Sequence, residues 1–171
     1  MQKNKTIRIL GVDPGFGRIG FGVVDSTGGE LVPVSCGCIE TSAKKSFIDR
    51  IEILNIELDR LIKKYQPDVS AVEELFFYKN ITTAIQVGQA RGVILLTLRQ
   101  AGLSVLEFTP LQIKQALTGY GRANKLQVEQ MVQKILGIKE RIKPDDAVDG
   151  LATAITCAGA LDFEKRTTGC K

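Results

Sequence analysis

The chain has no histidine and no tryptophan among its 171 residues, and only 6% are aromatic. The missing histidine is the sharpest of these constraints. It removes every Ser-His or Cys-His nucleophilic mechanism and every imidazole metal ligand. Proton transfer must then fall to carboxylates, lysines or metal-bound water. Cysteine is scarce: Cys36 and Cys38 stand two apart in a strand-like stretch, Cys157 lies in a small-residue helical segment, and Cys170 is near the end. With no Cys-x-x-Cys spacing and no histidine, the pattern argues against a zinc site, and the thiols read as reduced and incidental. Long apolar runs are also absent, none approaching the roughly 20 residues of a membrane helix. Met1-Gln2-Lys3-Asn4-Lys5 leads into a short strand instead of a signal-peptide core. The expectation is a cytoplasmic chain with no membrane contact.

What is present fits one globular domain over residues 1–171, with 44% hydrophobic and 25% charged residues. The net charge of +4 and a pI near 8.9 are compatible with nucleic acid without requiring it. Residues 7–12, 19–25 and 31–40 read as strands joined by glycine-bearing turns, which predicts an antiparallel meander. The period then changes. Phe47, Ile51, Leu54, Leu58, Leu61 and Tyr65 recur at three- and four-residue steps, predicting an amphipathic helix capped by Ser46 and closed by Pro67.

Val69 to Glu73 is a short fourth strand, 80–101 a second helix, and Leu103 to Phe108 a fifth strand. A helix from Pro110 to Leu117, another capped by Asn124, and a last one capped by Asp145 and ending near Leu161 complete the order, with 162–171 a polar tail. Gly88 and Gly92 lie on one stripe of the second helix. Each glycine costs about 1 kcal/mol of helix stability, so the stripe predicts close approach by another backbone, from this fold or from a second subunit. A meander followed by strand–helix units predicts an α/β fold: a five-stranded mixed sheet flanked by helices on both faces, in the order of ribonuclease H-like folds.

Three acid-bearing segments stand out. Asp13 ends the run Ile9-Leu10-Gly11-Val12 and precedes Pro14-Gly15-Phe16-Gly17, a turn open enough for a bulky ligand. Glu73 is favoured over its neighbour Glu74 because it continues the alternation of Val69 and Ala71. Asp146 and Asp149 are three apart, about 60° around a helix axis and thus on one face. Each alone can be a simple cap or turn residue. Packed together they are costly: two unit charges about 4 Å apart repel by roughly 4 kcal/mol at an effective dielectric near 20. Hard Mg²⁺, or Mn²⁺ in its place, relieves such crowding and keeps coordination positions open for phosphate oxygens and water. Two such ions can activate a water and stabilise a departing 3′-oxygen.

The ordered runs Gly11-Val12-Asp13-Pro14-Gly15, Val72-Glu73-Glu74-Leu75-Phe76, Gly88-Gln89-Ala90-Arg91-Gly92 and Asp145-Asp146-Ala147-Val148-Asp149-Gly150-Leu151-Ala152 resemble the RuvC family of Holliday-junction resolvases. The resemblance implies a ribonuclease H-like fold and a homodimer that nicks two opposed strands of a four-way DNA junction, leaving 5′-phosphates, in recombination and repair. It places the four acidic metal ligands on Asp13, Glu73, Asp146 and Asp149. It gives DNA contacts to Lys114 and Lys125 and a base-stacking wedge to Phe76. It also implies cooperation with a branch-migration motor complex. Two alternatives share some of these features. An ATP-dependent phosphotransferase of actin-like fold also opens on a strand, an aspartate and glycine, but normally needs two such domains. A non-catalytic junction-binding protein would share the basic surface and the wedge.

Overall fold

The computed structural model describes residues 5–75 and 81–168. Strands β1 (Ile7–Asp13), β2 (Arg18–Thr27) and β3 (Glu30–Glu40) form the meander, followed by α1 (Phe47–Tyr65) and β4 (Val69–Glu73). Then come α2 (Ile81–Gln100), β5 (Ser104–Phe108), α3 (Pro110–Thr118), α4 (Lys125–Leu136) and α5 (Asp145–Thr168). The sheet is five-stranded in the order β3-β2-β1-β4-β5. β1 pairs antiparallel with β2 and parallel with β4, and β4 runs parallel to β5. The predicted mixed sheet is therefore present.

Strand alternation divides the core in two. Leu10, Val12, Ile19, Phe21, Val23 and Val72 face one side, where they pack on Leu54 and Leu58 of α1 and Ile94 and Leu98 of α2. Ile9, Val24, Val69 and Ala71 face the other, against Ile113 of α3, Val132 of α4 and Leu151 of α5. Helices thus cover both faces, as the element order predicts. Capping boxes begin α1 at Ser46, α3 at Thr109 and α4 at Asn124, each satisfying backbone N–H groups that a helix start leaves unpaired.

The closest packing is between α5 and the two central strands. A Cβ on Gly11 would lie 2.3 Å from the Gly150 carbonyl oxygen, and one on Gly20 only 1.9 Å from that of Asp146. From the helix side, a Cβ on Gly150 would lie 2.4 Å from the Phe21 carbonyl carbon. Backbone meets backbone here, so no side chain can be added without moving the helix. Thr153 and Thr156 are buried in the same helix, and each donates its hydroxyl back to the carbonyl four residues earlier.

Two expectations need correction, and a third is narrowed to approach by a second subunit. α5 does not stop near Leu161 but continues to Thr168, because 162–168 contains no glycine or proline to end it. Asp145 is the first helical residue, not the residue before it. A Cβ on Gly88 or Gly92 would meet nothing within 4 Å, so no backbone among the described residues presses on that stripe.

Gly150 and Gly159 lie in the same helix with opposite surroundings, since a Cβ on Gly159 would meet nothing within 4 Å. Gly159→Ala is expected to raise Tm by about 2–4 °C, the value of roughly 1 kcal/mol of helix propensity in a chain of this size. Gly150→Ala is expected to lower Tm by at least as much, because overpacking costs about 1–3 kcal/mol. Thermal unfolding of both variants checks this, and equal effects would mean that α5 is not seated on the sheet as described.

Candidate active site

Asp13 is the last residue of β1 and Glu73 the last of β4. Because these neighbouring strands run parallel, both carboxylates leave the sheet at the same edge. They share strand parity with Gly11 and Ala71, which turns them toward α5. The seating of α5 over Gly11 and Gly20 brings Asp149 to them. Asp13, Glu73 and Asp149 line a cleft of about 240 Å³ together with Lys114 and Lys125. Pro110, Ile113, Val128 and Ala152 complete its walls. Pro110 opens α3 and Lys125 opens α4, so the first turns of two helices, with their positive dipole ends, border this space, and Asp149 of α5 faces it from one turn further along its helix. Such ends favour carboxylates and phosphate alike.

The carboxyl groups are strongly perturbed. Burial, then the charges of Glu73, Asp149 and Asp146, raise the Asp13 carboxyl to about 8. Burial and the charge of Asp149 raise Glu73 to about 7, against the opposing pull of Lys114 and Lys125. Asp149 is also raised by burial, although Lys125 counteracts the shift. Burial lowers Lys125, but the hydrogen bond and charge of Asp149 more than offset it and the ammonium is held above its usual value.

Two of the four acids are engaged by cations. Lys125 Nζ lies 3.1 Å from Asp149 Oδ2, and Arg18 Nε lies 3.1 Å from Asp146 Oδ2. Asp146 does not line the cleft. Among the described residues, no three acidic side chains stand close enough to share one ion as they are placed. The donor set nevertheless fits a hard divalent cation: every candidate ligand is a carboxylate oxygen, and burial with mutual repulsion leaves Asp13 and Glu73 short of positive charge.

Comparison with known proteins decides among the readings. The family model "Crossover junction endodeoxyribonuclease RuvC" matches residues 9–157. The chain belongs to the RuvC family. It is 50% identical over 161 residues to RuvC of Desulfitobacterium hafniense, covering 94% of this chain and 98% of that one. It is 53% identical over 159 residues to RuvC of Roseiflexus sp., covering 93% and 95%. Thermus thermophilus RuvC, solved in complex with a Holliday junction substrate, superposes with a TM-score of 0.87 at 34% identity, covering 92% of this chain and 96% of that one. A yeast mitochondrial Holliday junction resolvase, 14% identical with a TM-score of 0.67 and 94% and 82% covered, shares the fold. The family carries a ribonuclease H-like fold, and membership sets aside the actin-like phosphotransferase.

Against this RuvC frame, the structure brings together Asp13, Glu73, Asp149, Lys114 and Lys125. Asp146 is one helical turn away and turned toward Arg18. Glu74 stays out of the cleft, its backbone N–H donating to the Phe108 carbonyl. Phe76 lies outside the described residues. Arg91, in the Gly88–Gly92 run, is ion-paired with Glu107. Sequence reasoning passed over Arg18. Its signal was parity: it shares the face of Gly20 and Gly22, the face that α5 covers.

A carboxyl whose native value lies above its unfolded value binds protons more tightly in the native state. Its stabilising contribution is full below the ordinary value and is lost as pH rises through about 8 for Asp13 and about 7 for Glu73. In EDTA, Tm is therefore expected to fall by several degrees between about pH 5 and about pH 9. Asp13→Asn should flatten that fall and raise Tm at the alkaline end. A variant as pH-sensitive as the wild type would show that Asp13 is not the titrating group.

Proposed function

We propose that this chain is a structure-selective endodeoxyribonuclease that resolves four-way DNA junctions by paired, symmetric, metal-dependent nicks leaving 5′-phosphates. The observation that carries the reading is one cleft in which Asp13, Glu73 and Asp149 stand with Lys114 and Lys125. Clusters of acid alone repel DNA. Lysines among them and the starts of α3 and α4 beside them give a phosphate somewhere to sit.

Asp13, Glu73, Asp146 and Asp149 would hold Mg²⁺, with Mn²⁺ able to substitute. Bound there, the ions would supply Lewis acidity for an attacking water and for the departing 3′-oxygen. The chain's own groups do the rest. Asp13 stands at the centre, feeling the charges of the other three acids. Lys114 and Lys125 hold phosphate oxygens near the carboxylates, and the apolar walls of Ile113, Val128 and Ala152 limit water. Phe76 would stack on bases opened at the junction centre, one step beyond Glu73 and its neighbours.

Paired nicks need two active sites, and α2 supplies the surface for a homodimer. Ile85 is 58% exposed and Leu96 56%, with the bare Gly88 and Gly92 between them. Apolar side chains flanking glycines on one helix allow close approach of a second copy. We place the dimer in the cytoplasm, acting with a branch-migration motor complex.

Wild type is expected to nick a synthetic four-way junction in Mg²⁺ and not in EDTA, and to spare a linear duplex. Asp13→Asn should abolish cutting while junction binding stays level or tightens, because a negative charge beside phosphate is gone. Binding without cutting in Mg²⁺ or Mn²⁺ would instead support the non-catalytic junction-binding protein. In the same preparation, Leu96→Glu should shift the protein from dimer to monomer in analytical ultracentrifugation. A dimer unaffected by that change would place the interface elsewhere.

A further inference from the structure

Building on the metal-assisted reading above, we propose that Arg18 is a positioning residue: it holds Asp146 outside the catalytic cleft until a divalent cation enters. Arg18 opens β2 at the rim of the site. Sheet register pairs it with Glu40 of β3, and two residues further Gly20 sits opposite Asp13 and directly beneath the Asp146 backbone. From there the guanidinium reaches two carboxylates. Its Nε is 3.1 Å from Asp146 Oδ2 and its Nη2 is 3.3 Å from Glu40 Oε1. Only Asp146 belongs to the candidate ligand set, and it is the one member that does not line the cleft. Asp149 is ion-paired too, but its partner Lys125 is itself a wall of the cleft, so that pairing keeps the carboxylate inside.

The pairing is suited to being broken. The Arg18 side chain is 50% exposed and that of Asp146 28%, so solvent screens the attraction. Glu40 remains as a resting place for the cation once Asp146 leaves. Arginine stays charged at any physiological pH, so the guanidinium is always available to hold the carboxylate. Asp13, Glu73 and Asp149 then receive the cation first, and Asp146 joins when it outcompetes Arg18. An exposed ion pair makes this competition worth about two- to five-fold in affinity.

A double-mutant cycle on Mn²⁺ binding tests the latch, reading free Mn²⁺ by electron paramagnetic resonance without DNA. The proteins are wild type, D13N, R18Q, R18K, D146N and R18Q/D146N, each checked for cooperative thermal unfolding. R18Q is expected to bind Mn²⁺ about two- to five-fold more tightly. R18K, which keeps the charge but loses the planar fork, should fall between, and it carries the test if R18Q folds poorly. On the D146N background R18Q should change nothing. No gain in R18Q, or a gain undiminished by D146N, would overturn the latch and leave Arg18 as a distant charge. Equal Mn²⁺ binding by wild type and D13N would instead overturn the metal reading, and the latch with it.

Discussion

Every distance in the candidate site depends on how closely α5 lies on β1 and β2. Gly11 and Gly20 on the strands and Gly150 on the helix remove the side chains that would hold the layers apart. Stacked elements otherwise stand about 10 Å apart. With that spacing restored, the α5 acids would rise away from Asp13 and the cleft would open. The glycines give up helix and strand stability of about 1 kcal/mol each, which burial of the alanine-rich face of α5 offsets.

Close docking creates an electrostatic problem that the same architecture answers in part. Carboxylates from β1, β4 and α5 share one partly buried cleft, and Asp13 and Glu73 respond by holding protons well above their ordinary range. The starts of α3 and α4 add partial positive charge beside them, and Lys125 and Arg18 each take one acid as a partner. The arrangement is stable enough to fold and still demands positive charge, which is the condition for holding metal and phosphate in one place.

The strand ends carrying the acids are fixed from behind. Arg50 of α1 lies 3.6 Å over the Phe16 ring and donates to the Phe16 carbonyl, while Phe16 stacks on Phe47. This ties the turn after Asp13 to the start of α1. At the other end of β1, Arg8 pairs with Asp25 and donates to the Tyr65 carbonyl at the close of α1. A helix bonded to both ends of the central strand leaves Asp13 little freedom, which a site requiring defined geometry needs.

The sequence by itself determined the elements and one set of faces. Period-two alternation placed Glu73, and not Glu74, on the side of Asp13; three-residue spacing put Asp146 and Asp149 on one face; capping residues marked the starts of α1 and α4. Those features are local, carried by residues a few positions apart. The extent of α5 is not legible locally, because a polar stretch resembles a tail even where, as in 162–168, nothing breaks a helix. Tertiary structure alone decided which acids share the cleft, because ion pairing is a contact between residues far apart in the chain. Arg18 and Asp146 are separated by most of the sequence and meet only because Gly20 lets α5 down onto β2. For the same reason the Gly88 and Gly92 stripe could be seen in the sequence, but only the folded chain shows that nothing of its own described surface fills it.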